Sequence, residues 1–113
     1  MTTSRISGFY NMTIEERRTK LAEALSAPTP LDLGAWTSGG ISADAADHMI
    51  ENVVGMHSLP LGIGLNFMVN GRDVLVPFVV EEPSVVAGAS FMAKLVRAGG
   101  GFHATTTDPL MIG

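Results

Sequence analysis

Asn70-Gly71, set between two apolar runs, limits what this 113-residue chain can fold into more than any other feature of it. Asn followed by Gly supplies the two positive-φ positions of a type I′ turn, whose twist matches that of paired strands. Leu61 to Val69 and Arg72 to Val80 therefore read as the two arms of one hairpin. A two-residue link also leaves their register little freedom. Pro77 interrupts the second arm and brings no N–H to a ladder, so it calls for an edge position or a bulge.

The second arm runs straight into Glu81 and Glu82, two adjacent carboxylates between an apolar arm and the apolar segment Pro83 to Arg97. An ionised carboxylate in apolar surroundings costs several kcal/mol unless it is paired, caps a helix or is protonated for use. One reading is structural: Pro83 suits the first helical position, and acids suit the positive end of a helix. The other is chemical, with one of the pair serving as a proton donor. The segment that follows is apolar nearly all round (Val85, Val86, Phe91, Met92, Leu95, Val96), as expected of a buried helix. Ala87, Gly88, Ala89 and Ser90 add small side chains suited to tight packing or to close approach of a ligand. Gly99 to Gly101 ends the helix, and Phe102 to Thr107 can start another strand.

Ahead of the hairpin the apolar spacing is helical. Thr13-Ile14-Glu15-Glu16 is a capping-box arrangement opening a helix to about Leu25, with Glu16 four residues before Lys20. Its apolar stripe is thin, so Glu15, Arg17 and Arg18 read as a charged outer face. Pro28 and Pro30 follow, then a short turn around Leu31 to Trp36 and a loop over Thr37 to Gly40. Ser42 can cap a second helix whose apolar positions Ala46, Met49, Ile50, Val53 and Val54 follow a helical repeat, with Gly55 as its C-terminal cap. Together these elements predict an α+β chain of N-terminal helices, a β-hairpin and a buried helix.

Charge is scarce: charged residues are 16% of the chain against 46% hydrophobic. A small domain usually covers its surface with more charge, so this balance predicts apolar faces meant for another domain or subunit. A net charge of −4 with seven Lys and Arg gives no basic footprint for nucleic acid or an anionic membrane. No apolar run approaches the roughly 18 residues that span a bilayer. Without Cys there is no disulfide framework, and MTTSRIS lacks a secretory signal pattern, so the chain reads as cytoplasmic. His48, His57 and His103 show no metal-ligand spacing, and no metal site is expected. Gly62-Ile63-Gly64 lacks the third glycine and following helix of a dinucleotide fingerprint, and Gly99 to Gly101 follows a helix rather than a strand.

Several segments in order carry a resemblance: Ser4 to Tyr10 (SRISGFY), Glu51 to Gly55 (ENVVG), Asn70 to Pro77 (NGRDVLVP), Val80 to Ala87 (VEEPSVVA), Met92 to Leu95 (MAKL) and Gly99 to Phe102 (GGGF). Together they resemble 3-hydroxy-3-methylglutaryl-coenzyme A (HMG-CoA) reductase in its class II, bacterial and archaeal form, over essentially the whole chain. The resemblance implies an oxidoreductase interconverting HMG-CoA and mevalonate plus CoA with NADH or NADPH. It implies a homodimer or higher homo-oligomer, and a catalytic set of one Glu, one Lys, one Asp and one His. Glu82 matches the catalytic Glu, and Ser84 matches a residue contacting the glutaryl portion of the substrate. Glu51 and Asn52 fall in a motif near the substrate pocket and dimer interface.

The other catalytic residues, the small cofactor domain and a C-terminal flap are expected beyond residue 113. Residues 1–113 are accordingly expected to be the N-terminal part of the large HMG-CoA-binding domain, inactive alone, with cofactor-binding residues in this chain unknown. An apolar setting beside Glu81 would favour the protonated form that a proton donor needs. The rival expectation is a non-catalytic acyl-CoA-binding or subunit-interaction module built from the same segment.

Overall fold

A computed structural model describes residues 2–25 and 33–109. The chain is α+β. It comprises α1 (Ile14–Ala24), α2 (Gly34–Ser38), α3 (Ala43–Asp47), β1 (Leu61–Gly64), β2 (Met68–Val69), β3 (Arg72–Asp73), β4 (Val76–Val79) and α4 (Val85–Ala98). Pro28, Pro30 and the start of the turn expected at Leu31 lie outside the described residues; that turn continues as α2.

The capping box forms as expected. The Thr13 side chain accepts from the Glu16 N–H, and the Thr13 N–H donates to Glu16 Oε2 at 2.7 Å. The Thr13 N–H foremost, and the Thr13 hydroxyl beside it, hold the Glu16 carboxyl below the usual carboxylate value. Lys20 pairs with Glu23 at 2.6 Å, since Glu16 is turned back to the cap. The charged outer face is only partly that. Arg17 donates to the carbonyls of Phe9 and Tyr10, and Arg18 to that of Trp36, so these two guanidiniums hold neighbouring backbone.

The hairpin is present, but not as two unbroken arms. Asn70 (φ 49°) and Gly71 (φ 74°) make the expected turn between β2 and β3. Farther out Leu61 pairs with Val79 and Gly64 with Val76 in a separate antiparallel ladder. Between the ladders, residues 65–67 face residues 74–75, so the first arm carries one extra residue, a bulge. Asn66 lies in that bulge at φ 67°. Pro77 in β4 pairs with Ile63 in a sheet of two strands, each an edge, which tolerates a missing N–H.

α4 lies against β1. A Cβ added at Gly62 would meet Val86 at 3.3 Å, so the absence of a side chain there permits the contact. Ser90 Oγ accepts from the Leu65 N–H (3.0 Å) and donates to the Val86 carbonyl (2.7 Å), and Asn66 Nδ2 donates to the Ser90 carbonyl (3.0 Å). The bulge residues thus find in α4 the partners that the strand ladder does not give them. At the far end, the Gly101 N–H bonds the Val96 carbonyl, and Gly101 at φ 89° passes so close that a Cβ would lie 2.7 Å from the Met68 carbonyl oxygen. The strand expected from Phe102 is a single parallel bridge to Val69, backed by stacking of Phe102 on Phe67 at 5.6 Å.

Two expectations are corrected. The helix expected from Ser42 to Gly55 ends at Asp47. Met49, Ile50 and Val54, which would have justified a longer one, are 69%, 65% and 103% exposed, and spacing without a covering surface does not hold a helix. The expected buried helix is buried on one side only. Ala93 is fully enclosed, whereas Phe91, Met92 and Leu95 are 59%, 54% and 51% exposed, because the hairpin covers one face of α4 and nothing described covers the other.

Candidate functional site

Glu81 and Glu82 occupy a short link between two backbone reversals. β4 ends at Val79, and the Val80 N–H still reaches the Pro60 carbonyl at 3.4 Å, continuing the ladder by one bond. Val80 itself stands at φ 66°, a conformation that a β-branched residue rarely adopts. After the two glutamates, the Val85 N–H bonds the Glu82 carbonyl at 3.3 Å across Pro83-Ser84. Pro83 at the second position and Ser84 at φ 75°, ψ −13° give this turn type II character, which usually wants Gly or Asn where Ser84 stands. Ser84 then accepts the Gly88 N–H at 2.7 Å, the first bond of α4.

This geometry corrects the capping reading of both glutamates. α4 begins at Val85 with Ser84 before it, its first turn holds no acid, and no side chain caps it. Pro83 precedes the helix instead of opening it. The apolar enclosure expected for Glu82 is also not supplied here, since residues 81–84 are exposed. Neither glutamate side chain has a hydrogen bond or ion pair among the described residues, and nor has Ser84 Oγ.

Glu51 and Asn52 stand in the irregular stretch after α3, both exposed, with Asn52 at φ 60°. No hydrogen bond joins them to residues 81–84 among the described residues. The broad open cleft of the molecule, about 1680 Å³, lies between the N-terminal arm, the helices and the α4 side of the hairpin, and none of Glu51, Asn52, Glu82 and Ser84 lines it. Arg5, Arg17, Arg18, Lys94 and Arg97 do line it, without an Asp or Glu among the described lining residues. Arg17, Arg18 and Arg97 are engaged by protein acceptors, which leaves Arg5 and Lys94 as the exposed cations of the cleft.

One cluster escaped the sequence reading. Ser4 is fully buried, its N–H donating to Asp73 Oδ2 (3.0 Å) and its hydroxyl to the Phe67 carbonyl (2.9 Å). Arg97 bonds Asp73 Oδ1 at 2.6 Å and reaches Ser4 Oγ and the Asn66 carbonyl. Burial pushes the Asp73 carboxyl up, but the Ser4 N–H and the Arg97 guanidinium together outweigh it and hold the group below its usual value. The signal was an Asp and an Arg in apolar company; Ser4 carried none.

A model of hydroxymethylglutaryl-coenzyme A reductase matches residues 13–113. The chain belongs to the hydroxymethylglutaryl-coenzyme A reductase family. It is 49% identical over 110 residues to the 3-hydroxy-3-methylglutaryl-coenzyme A reductase of Archaeoglobus fulgidus, covering 97% of this chain and 25% of that protein. A probable reductase of Borreliella burgdorferi is 45% identical over 50 residues, 44% of this chain and 12% of that one. The fold superposes on the class II reductase of Streptococcus pneumoniae, solved bound to NADPH in open conformations, with a TM-score of 0.72 at 38% identity, over 86% of this chain and 26% of that one. The chain thus spans about a quarter of the length of these fuller matches. No helix among the described residues is long and apolar enough to cross a membrane, and no three His, Cys, Asp or Glu there could hold a metal ion.

Proposed function

We propose that residues 1–113 form the N-terminal part of the large, substrate-binding domain of an HMG-CoA reductase, and that Glu82 is its proton donor. The reaction is the NAD(P)H-dependent interconversion of HMG-CoA and mevalonate plus CoA, in a cytoplasmic homodimer or higher homo-oligomer. What carries the reading is the family match over residues 13–113, with Glu82 held between two positive-φ residues and its side chain without a partner among the described residues.

Reduction of a thioester carbonyl leaves negative charge on its oxygen, and a carboxyl group placed against it stabilises the charge and delivers the proton. The Glu82 carboxyl is available for that work, since no hydrogen bond among the described residues occupies it. Ser84 lies two residues on and offers a hydroxyl to the glutaryl portion, with Glu51 and Asn52 as further substrate contacts.

Neither glycine cluster among the described residues forms a dinucleotide-phosphate loop. Gly62 and Gly64 are strand residues of β1, and Gly99 to Gly101 closes α4 at its C-terminal end, opposite to a phosphate-binding helix start. NADH or NADPH is assigned mainly to other parts of the protein.

Glu82→Gln in the complete polypeptide carrying this segment is the test. The expected result is a fall in kcat of about 100-fold or more with KM within about threefold, since the acid acts chiefly in the transition state. Unchanged turnover, or loss on Glu81→Gln instead, overturns the assignment. A complete polypeptide that binds an acyl-CoA without turning it over supports the non-catalytic module instead.

A further inference from the structure

We infer that Val80 is a positioning residue for Glu82, its left-handed backbone being the device that aims the acid; this rests on the role proposed for Glu82. Among the described residues no hydrogen bond or ion pair restrains the Glu82 side chain, so what the fold fixes is the position and direction of the Cα–Cβ bond from which the carboxyl reaches out. The backbone there is pinned on both sides. After Glu82, the turn over Pro83-Ser84 binds its carbonyl and leads into α4. Before Glu81, Val80 leaves the β1–β4 ladder at φ 66°.

Glycine adopts that conformation without penalty, and Asn with little, whereas a β-branched residue resists it. Packing does not force Val80 there, because the residue is 60% exposed. The conformation is imposed by the ladder bond to Pro60 behind it and the turn ahead of it. Non-glycine residues held in this region gather where a site must be pre-organised. A bulky residue also narrows the alternatives: a glycine at this position reaches the same φ but many others as well, and would let Glu81-Glu82 swing.

Two substitutions in the complete polypeptide separate backbone from side chain. Val80→Gly is expected to keep or raise the thermal midpoint, since the steric penalty disappears, while kcat falls about tenfold and KM changes less than about threefold. Val80→Asn, which favours the left-handed region, is expected to retain kcat within about threefold. Full activity in Val80→Gly overturns the inference. So does a loss in Val80→Gly accompanied by a lower midpoint, which marks a purely structural role, and so does equal loss in Val80→Asn, which marks a side-chain role. Glu82→Gln measured alongside keeps the two readings apart: if it stays active, the role of Glu82 fails and Val80 with it; if it is inactive while Val80→Gly is not, the positioning inference alone fails.

Discussion

Asp73 is a carboxylate whose titration the fold shifts, and a pH dependence of stability follows from it. Its carboxyl is held below the ordinary aspartate value in the folded chain by the Ser4 N–H and Arg97, against the opposing effect of burial. The unfolded chain therefore takes up that proton first as acid is added. Its contribution is fully present above the unfolded value of about 3.9 and is lost progressively as the pH falls below it, through the folded value. Asp73→Asn is expected to destabilise by about 3 kcal/mol at neutral pH, because Arg97, whose side chain is 18% exposed, keeps its charge without a counter-ion. Denaturant melts at pH 7 and at about pH 3 check this. The deficit should shrink at the lower pH, and an equal deficit at both would refute the linkage. Ser4 was invisible as a structural residue because a serine near a chain start has no pattern; only the hairpin and α4, brought together from far along the chain, bury it.

Among the elements, the hairpin and α4 act as one unit. Asn70-Gly71 was readable because φ > 0 at two successive positions is a property of those residues themselves. The bulge at residues 65–67 was not, since an extra residue in one arm has no local signature when Asn66 finds its partner in Ser90, on another element. The glycines after α4 make a paired test. Gly100 at φ 112° has open space around it, so Gly100→Ala is expected to cost only the backbone penalty, about 1–2 kcal/mol. Gly101→Ala adds an approach of 2.7 Å to the Met68 carbonyl and should cost clearly more. Equal losses in thermal melts would show that the hairpin yields to relieve the contact. The helix expected through Gly55 failed for the complementary reason. Periodicity names a face, but a face with no surface to meet gives an isolated helix too little to persist.

For the whole molecule, uncovered apolar surface is the dominant fact. Phe91, Met92 and Leu95 on α4, with Met49, Ile50 and Val54 after α3, leave a domain-like interior open to water. The 113-residue chain studied alone is expected to bind an apolar dye such as ANS strongly and to show no reductase turnover. Phe91→Glu with Leu95→Glu should lower dye binding in the isolated chain yet destabilise the complete polypeptide. If the pair leaves the complete polypeptide's melting unchanged, the α4 face is not an internal packing surface there.

The EEPS segment draws the division most plainly. Residue types and their order were enough for the turn at Asn70-Gly71, the cap at Thr13, the α+β class and the resemblance that singled out Glu82, because each depends on local backbone preference or on the residues themselves. That Glu81 and Glu82 do not cap α4 was beyond local reasoning. Val80 stands in left-handed backbone beside a ladder bond to Pro60 that exists only once β1 and β4 have paired, and Val by itself favours an extended strand; Ser84 takes its left-handed place in the Pro83-Ser84 turn, where Gly or Asn would have been the usual signal. The Ser4, Asp73 and Arg97 cluster has the same origin. Its members lie up to 93 residues apart, and a buried charge is stabilised only by partners that the folded chain delivers.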